Sequence, residues 1–451
     1  MDHTAHDQDR GQLRDLRTEL YGCLTRWGDA LFELCDAALC APGALHSVPA
    51  LSLEPAFRRS HGSLYKALAW GQIDEERLRQ LLVANRPKDW PEVFAVDASV
   101  WDRCDAECSP ERGFYYSASK HSAGQPIVAG WSYQWISQLS FTPDSWTAPV
   151  DALRIVPTTN ATDATIGQVR RLVEGLGSRR KAPPLFVFDA GYDPIALGAG
   201  LNDVRAQVLV RIKSDRVFYD DPGPRRGPTK GRPPRHGRRF KLSDTKSAPR
   251  PDAQIQLEDP RYGTVRVRAW HNRHPKLRGQ GRWAGDETRI VRGSVIRVDV
   301  EHLPNPIGRT KKTLWLWWSG PGRPDLELCF RAYLRRFDIE HAYRFVKNTL
   351  GWTSPSLQTP QQADRWTWIV IAAYTQLRLA RHLVEDLRLP WERRLDPSRL
   401  TPARVRRGFR RLRATLGTPA SPPKSDTPGP GRPKGTRTGP LKRYPAIKKS
   451  A

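Results

Sequence analysis

The chain has 451 residues and a net charge of +27, from 74 Lys and Arg against 47 Asp and Glu. Its hydrophobic content of 38% suffices for a folded core, so a wholly disordered chain is excluded. There is no apolar run of about 18 residues and no apolar segment near the first residue, so we expect neither a membrane-spanning nor a secreted protein. So high a positive charge favours a polyanionic partner, and nucleic acid is the usual one.

Residues 1–90 predict a helical N-terminal region. Apolar residues recur at helical spacing over 13–39, and a second such segment at 75–85 ends before Pro87. A DNA-binding helix-turn-helix and a helical cap on the next domain are both compatible with this pattern, so both interpretations stay open.

Residues 91–215 predict the first part of a mixed α/β sheet flanked by helices. Short apolar and aromatic segments indicate strands, and a helical pattern at 163–177 separates the later ones. Alternating segments in 216–312 indicate a β-rich insertion with a basic loop. The second part of the sheet and its helices follow at 313–385. Residues 386–451 are then expected to form a basic, partly disordered C-terminal tail.

Two segments hold most of the excess charge. Residues 222–241 contain eight Lys and Arg and no acid, and residues 401–451 contain fourteen with one acid, Asp426. Such density indicates phosphate contact, because it repels itself without a counter-charge. Within them, 231–237 and 429–435 are similar to an AT-hook core, in which Arg-Pro enters a narrow minor groove. Chance matches in low-complexity sequence are the alternative.

Histidine, cysteine and glycine patterns indicate no other site. His271 and His274 form H-x-x-H without a third ligand, which indicates surface imidazoles. Cys104 and Cys108 lack a second pair, so the cysteines are expected to be free thiols. No ATP-binding glycine loop and no G-x-S-x-G occurs, so ATP-dependent and acyl-transfer mechanisms have no support.

Two aspartates end predicted strands. Asp97 follows the apolar residues of VFAVDAS, and Asp189 follows those of LFVFDAGYD. A single Asp after a strand is usually a turn or cap residue. Because ligands gather at the carboxyl ends of strands in α/β sheets, two such strands in one sheet would bring both carboxylates to one edge.

A third carboxylate lies on a long helix predicted over 326–350, with the apolar Leu334 and Phe337 on its other faces. One stripe of this helix carries polar residues at steps of 3, 4, 4 and 3: Tyr333, Arg336, Glu340, Arg344 and Lys347. A charged solvent-facing stripe is one interpretation. The other is a carboxylate flanked by cations, placed to meet metal and phosphate together.

Phosphodiester chemistry favours the second interpretation. In-line displacement is assisted by two Mg²⁺ ions, which prefer hard oxygen ligands, and three carboxylates from separate elements suffice to hold them. Arg336 and Lys347 could hold phosphate oxygens without interfering with the metals. Arg103, Arg211 and Lys213 lie close in sequence to the predicted strand ends and are further phosphate contacts, with plain surface charge as the alternative.

The helix stripe matches a known signature, Y-(2)-R-(3)-E-(6)-K, at Tyr333, Arg336, Glu340 and Lys347. With the contexts of Asp97 and Asp189, it makes the chain resemble bacterial insertion-sequence transposases of the DDE class, over about residues 90–380. The resemblance implies an RNase H-like catalytic core interrupted by the β-rich insertion.

The resemblance also implies roles for particular residues. Asp97, Asp189 and Glu340 would be catalytic and would bind two Mg²⁺ ions, for which Mn²⁺ can substitute. An insertion-domain Trp can stack on a flipped base in relatives, and Trp270 and Trp283 are the candidates, although core packing is the more usual role. In relatives the Tyr, Arg and Lys of the signature contact DNA, which implies this role for Tyr333, Arg336 and Lys347. Arg344, on the same stripe, is a further expected DNA contact.

The function expected on these grounds is Mg²⁺-dependent cleavage at transposon ends and strand transfer to target DNA. Its partners would be terminal inverted repeats, target DNA and a second copy of the chain, in a cytoplasmic, nucleoid-associated complex. Two alternatives remain, a non-transposing nuclease on the same core and an inactive DNA-binding relic.

Overall fold

The computed structural model of the chain describes residues 3–117, 124–177, 182–224, 231–244, 248–279, 281–286, 288–304, 312–424, 433–435 and 439–448. The predicted AT-hook-like segment 429–435 falls mostly outside the described residues, as do 225–230 of the first basic segment. None of the described helices is long and apolar enough to cross a membrane.

The α-helices of the described residues are α1 (His3–Cys23), α2 (Gly28–Cys40), α3 (His61–Trp70), α4 (Glu75–Ala84), α5 (Ala161–Gly175), α6 (Pro194–Gly200), α7 (Leu326–Arg335), α8 (Asp338–Asn348), α9 (Pro360–Leu379) and α10 (Pro402–Leu416).

The strands are β1 (Leu24–Arg26), β2 (Gln72–Ile73), β3 (Val93–Asp102), β4 (Gly113–Tyr116), β5 (Ile127–Leu139), β6 (Thr147–Ile155), β7 (Leu185–Phe188), β8 (Gln207–Ile212), β9 (Val217–Tyr219), β10 (Arg239–Lys241), β11 (Ala253–Asp259), β12 (Gly263–Arg273), β13 (Gly293–Val300) and β14 (Thr313–Ser319).

The chain divides into two compact units. The first contains Met1–Trp90, Ala98–Asn160 and Asp338–Ala451, and the second contains Pro91–Asp97 and Ala161–Phe337. The predicted helical N-terminal region therefore shares a unit with the predicted C-terminal tail.

The first unit is built on two buried helices, α2 and α9. Helix α9 begins at Thr359 with a capping box, in which the Thr359 hydroxyl accepts from the backbone of Gln362 and the Gln362 side chain accepts from the backbone of Thr359. Pro360 occupies the first helical position, where its missing N–H costs nothing. Almost every later residue of α9 is buried, so this helix forms the centre of the unit.

Strand β5 organises the sheet of the first unit. It pairs antiparallel with β4 through its first residues and with β6 along the rest of its length. Gly130 of β5 lies so close to the neighbouring strand that an added Cβ would come within 2.1 Å of the Trp101 carbonyl oxygen. A glycine is required there because no side chain fits. Beyond it, Trp135 packs against Trp352 with ring centroids 4.8 Å apart.

The second unit contains a mixed sheet with the strand order β11-β12-β13-β14-β8-β7-β3. Strands β3, β7 and β8 run parallel, and the others pair antiparallel. The segment predicted as a β-rich insertion is indeed rich in strands, and β11, β12 and β13 extend the same sheet as β7 and β8. Strands β9 and β10 form a separate two-stranded ladder.

The helix predicted over 326–350 is broken, contrary to the prediction. Helix α7 ends at Arg335, α8 begins at Asp338, and the boundary between the two compact units falls at the same place in the sequence. Arg336 is buried and Phe337 is 46% exposed. The five residues of the predicted stripe therefore do not lie along one continuous helix.

Part of the predicted C-terminal tail is folded. In α10 the apolar side chains of Val405, Phe409 and Leu412 are buried at helical spacing. The guanidinium of Arg406 is buried beside them and donates to the carbonyls of Ala38 and Gly43. Arg406 therefore contributes to the packing of the first unit, a role that the positive charge of the segment did not indicate.

The two histidines predicted as surface imidazoles are not exposed. His274 is fully buried, because its backbone forms a bridge with Tyr219 and its Nε2 lies 3.0 Å from Nδ1 of His236. His271 is half-buried, with its Nδ1 2.9 Å from the hydroxyl of Ser294.

Candidate active site

Asp97 and Asp189 each follow the last paired residues of two neighbouring parallel strands. Val96 of β3 is paired with Phe188 of β7; Asp97 is the next residue of β3, and Asp189 is the residue directly after β7 ends. Because neighbouring strands lie about 4.8 Å apart and paired residues point to the same face, both carboxylates stand at one edge of the sheet. The structure therefore places the two carboxylates side by side, but the prediction that Asp97 ends its strand is wrong, because β3 continues to Asp102.

The segment after Asp189 turns sharply into a helix. Asp193 caps α6 by accepting from the backbone N–H groups of Ile195 and Ala196, and Pro194 takes the first helical position. Asp193 is thus a structural cap, whereas the carboxylate of Asp189 has no comparable local use. The turn fixes the backbone at Asp189 and holds that side chain at the sheet edge.

One guanidinium lies beside both carboxylates. The Nη1 of Arg336 is 3.9 Å from Oδ2 of Asp97, and its Nη2 is 4.0 Å from Oδ1 of Asp189. Arg336 is only 7% exposed, and its guanidinium also lies over the ring of Tyr333, 5.8 Å from the centroid. A single buried positive charge therefore faces two negative ones.

Two tyrosines line the same region. Burial raises the pKa of Tyr192 well above its usual range, and the negative charges of Asp97 and Asp189 raise it further. Burial also raises the pKa of Tyr333, while Arg211 opposes the change through its charge and a hydrogen bond. Both phenols are therefore neutral at physiological pH and can serve as hydrogen-bond donors.

The two carboxylates suit a hard divalent cation. The Oδ1 of Asp189 is buried and accepts no hydrogen bond from the described residues, and the Nη2 of Arg336 lies 4.0 Å from it. Carboxylate oxygens are the ligands that Mg²⁺ prefers. Across the described residues, no group of three or more His, Cys, Asp or Glu side chains is spaced to hold a metal ion.

Glu340 lies in the first unit, on α8, and is half-buried. Further along α8, the ring of Tyr343 stacks on Trp352, and the ammonium of Lys347 donates to the carbonyl of Val100, 3.3 Å away. These contacts fix α8 within its own unit. The convergence of Glu340 with the two aspartates remains a prediction.

The predicted phosphate contacts differ in what they can reach. Arg211 and Arg344 are exposed, as a DNA contact requires. Arg103 is buried, and its guanidinium bonds the carbonyl of Leu357 and the carboxylate of Asp105. A guanidinium held in this way does not reach a phosphate, so the prediction for Arg103 is wrong.

The two tryptophans proposed for base stacking also differ. Trp270 is 2% exposed and its indole N–H donates to the carbonyl of Pro249, so it belongs to the core of the second unit. Of the two, Trp283 is the one that lines a cavity, and it is half-buried.

A basic cavity begins immediately after Asp189. It has a volume of about 1030 Å³ and lies wholly within the second unit. Ala190 and Tyr192 form part of its wall, and its acidic residues are Asp193 and Asp215. Six exposed cations line it: Arg211, Lys213, Arg216, Arg239, Lys276 and Arg278. Of these, only Arg211 and Lys213 were singled out from the sequence, and the charge density of 222–241 was the signal for Arg239.

Two neighbouring carboxylates beside a cationic cavity define an α/β protein with an acidic site next to a basic one. Comparison with protein-family models matches residues 19–276 to the DDE superfamily endonuclease family, and the chain belongs to that family. The matched span includes Asp97 and Asp189 and ends before Glu340.

Comparison with solved structures finds similarity to the cryo-EM structure of the piggyBac transposase synaptic complex with hairpin DNA. The sequence identity is 12%, the match covers 86% of this chain and 72% of that chain, and the TM-score is 0.41. Comparison with curated protein sequences finds no match.

Proposed function

We propose that the chain is a DDE transposase, of the bacterial insertion-sequence type, with an RNase H-like catalytic core. The observation that carries this proposal is the parallel pairing of Val96 with Phe188, which places the next residues, Asp97 and Asp189, side by side. Membership of a DDE endonuclease family and the signature from Tyr333 to Lys347 support it. The reaction would be DNA cleavage at transposon ends followed by strand transfer.

Asp97 and Asp189 would hold divalent ions, with Glu340 as the third ligand and Mn²⁺ able to replace Mg²⁺. When bound, a pair of such ions stabilises the attacking and leaving oxygens of an in-line displacement. In support of Glu340, the hydrogen bond from Lys347 fixes α8 against Val100, three residues beyond Asp97 on the same strand.

The exposed cations of the basic cavity would bind the DNA backbone next to the acids. Arg211 lies in that cavity and also contacts Tyr333, so a phosphate held there would be close to the signature residues. Arg344 on α8 is exposed and would extend the contact, with Lys347 nearby on the same helix. These residues would position the scissile phosphate, since phosphate contacts fix register on DNA.

Hydrolysis would free a DNA 3′-OH, which would then attack the target phosphodiester. Bringing two transposon ends together requires at least two copies of the chain, so we propose a homodimer acting in the cytoplasm on nucleoid DNA.

The test uses purified chain with a plasmid that carries the DNA flanking its own gene. Transposase activity predicts strand cleavage at terminal inverted repeats with Mg²⁺ or Mn²⁺, no cleavage with EDTA, and joining of the freed ends to a second plasmid. Cleavage without joining would identify a nuclease on the same core. Binding without cleavage would identify an inactive DNA-binding relic.

A further inference from the structure

The geometry around Arg336 shows one cation serving two carboxylates at long range. Its distances of 3.9 Å to Asp97 and 4.0 Å to Asp189 exceed those of good hydrogen bonds, so charge attraction is the main interaction. The guanidinium carries one positive charge against two negative charges. Two carboxylates at one sheet edge repel each other, and Arg336 offsets this repulsion in part.

A divalent ion bound by the same carboxylates would compete with Arg336. Both cations are attracted to Oδ2 of Asp97 and Oδ1 of Asp189. Once an ion with two positive charges neutralises these oxygens, the attraction of the buried guanidinium to these two carboxylates weakens, and the ion repels it. A DNA phosphate beside the acids would offer it a new anionic partner.

The position of Arg336 in the chain allows such an exchange. It forms the C-cap of α7, where its backbone N–H still donates to the carbonyl of Ala332, and it lies in the turn before α8. Its ring contact, with Tyr333 on the last turns of α7, does not involve the carboxylates. The side chain can therefore change its anionic partner without unwinding a helix.

We propose that Arg336 is a positioning residue that exchanges partners, from the Asp97 and Asp189 carboxylates in the metal-free protein to a DNA phosphate once a divalent ion is bound. Ion binding and DNA binding are then cooperative, and the coupling is reciprocal. This inference rests on the proposed assignment of Asp97 and Asp189 as metal ligands.

The first experiment measures coupling with the full chain. The affinity for a fluorescein-labelled DNA duplex is measured by anisotropy with and without Ca²⁺, at constant ionic strength. In the wild type, Ca²⁺ should strengthen DNA binding by about 5-fold or more, the usual range for coupled sites. In Arg336→Gln the strengthening should be lost. Arg331→Gln removes a positive charge from an exposed position of α7, and this variant should keep the wild-type strengthening of DNA binding by Ca²⁺.

The second experiment measures Mn²⁺ binding without DNA, by the loss of its free-ion electron paramagnetic resonance signal. Arg336→Gln should bind Mn²⁺ more tightly than the wild type, because its competitor is gone. A purely structural role predicts weaker or unchanged binding, and either result would overturn the proposal. Arg336→Lys keeps a charge with a single ammonium and should give an intermediate affinity. Circular dichroism melting shows which variants are folded, and the Lys variant decides the question if Gln does not fold.

The two proposals fail in different ways. If Mn²⁺ binds the wild type but not Asp97→Asn, while Arg336→Gln alters neither Mn²⁺ affinity nor coupling, the exchange is wrong and the metal site stands. If Asp97→Asn and Asp189→Asn bind Mn²⁺ as the wild type does, both the metal site and the exchange are wrong.

Discussion

Arg17 donates two hydrogen bonds to the buried carboxylate of Asp36, at 2.7 and 2.9 Å. The same guanidinium donates to Gln376, and Arg413 donates to Asp36 from α10. This network joins α1, α2, α9 and α10, so it links the N-terminal helical region to the folded part of the C-terminal segment.

We expect Asp36→Asn to lower the free energy of unfolding by roughly 3–5 kcal/mol, because it leaves the Arg17 charge buried without its counter-ion. Urea unfolding followed by circular dichroism measures the change. Glu385→Gln breaks an ion pair with Arg411 in which both side chains are exposed, and it should have little effect. Equal losses of unfolding free energy in the Asp36 and Glu385 variants would show that the buried network stabilises the fold no more than an exposed ion pair does.

His274 gives a pH dependence with a definite sign. Burial lowers its pKa, and the charges of His236, Arg292 and Arg273 lower it further, while Asp221 opposes them. A lowered pKa in the folded state means that the unfolded chain binds the proton more readily. The stability contributed is therefore fully present above about pH 6.5, the usual value for His, and is lost as the pH falls through the lowered pKa.

We accordingly expect the melting temperature to fall between about pH 7 and about pH 5, with a smaller fall in His274→Gln. The slope of melting temperature against pH is the quantity to compare, because the substitution also removes the contact with His236 and so changes the melting temperature at every pH. Exposed His302→Gln serves as the control and should keep the wild-type slope. An identical slope in the His274 variant would show that other groups control the acid response.

The basic cavity predicts a salt-dependent loss of DNA binding. We expect Arg239→Gln combined with Lys276→Gln to weaken binding to a DNA duplex and to reduce the slope of log affinity against log salt by about 0.9 per phosphate contact removed. Arg266→Gln changes an exposed cation of β12 outside the cavity and should leave the slope unaltered. If Arg266→Gln weakens DNA binding as much as the cavity variant does, the positive charge of the chain as a whole attracts DNA, and the cavity is not a defined binding surface.

The sequence predicted the strands that carry the acids because their signal is local. An apolar run followed by an aspartate indicates a buried strand and its end, and this pattern located both strands. It placed the strand end correctly before Asp189 but not at Asp97, because β3 continues to Asp102. The parallel pairing that aligns them depends on residues about ninety apart in the chain, so it could be expected only from the rule for α/β sheets.

The break between α7 and α8 could not be predicted in the same way. Residues 335–340 contain no Gly or Pro, so local preferences favour a continuous helix. The structure instead buries Arg336 beside two acids and exposes Phe337, an outcome that depends on tertiary contacts. The prediction that Arg103 contacts phosphate was wrong for a related reason, since its partner Leu357 is distant in sequence.

Helix α10 was missed although its signal was present. The segment 401–451 is highly charged as a whole, yet Val405, Phe409 and Leu412 have the spacing of one helix face. Composition describes a segment as a whole, whereas packing depends on the few residues that face the core.

The most direct test of the account compares Asp97→Asn, Asp189→Asn and Glu340→Gln with the wild type in Mg²⁺-dependent cleavage of the plasmid that carries the flanking DNA. We expect each substitution to abolish cleavage while DNA affinity stays within a few-fold of wild type, and exposed Asp215→Asn at the cavity to cleave normally. Wild-type cleavage by Asp97→Asn or Asp189→Asn would contradict the central claim that these paired carboxylates hold the catalytic ions.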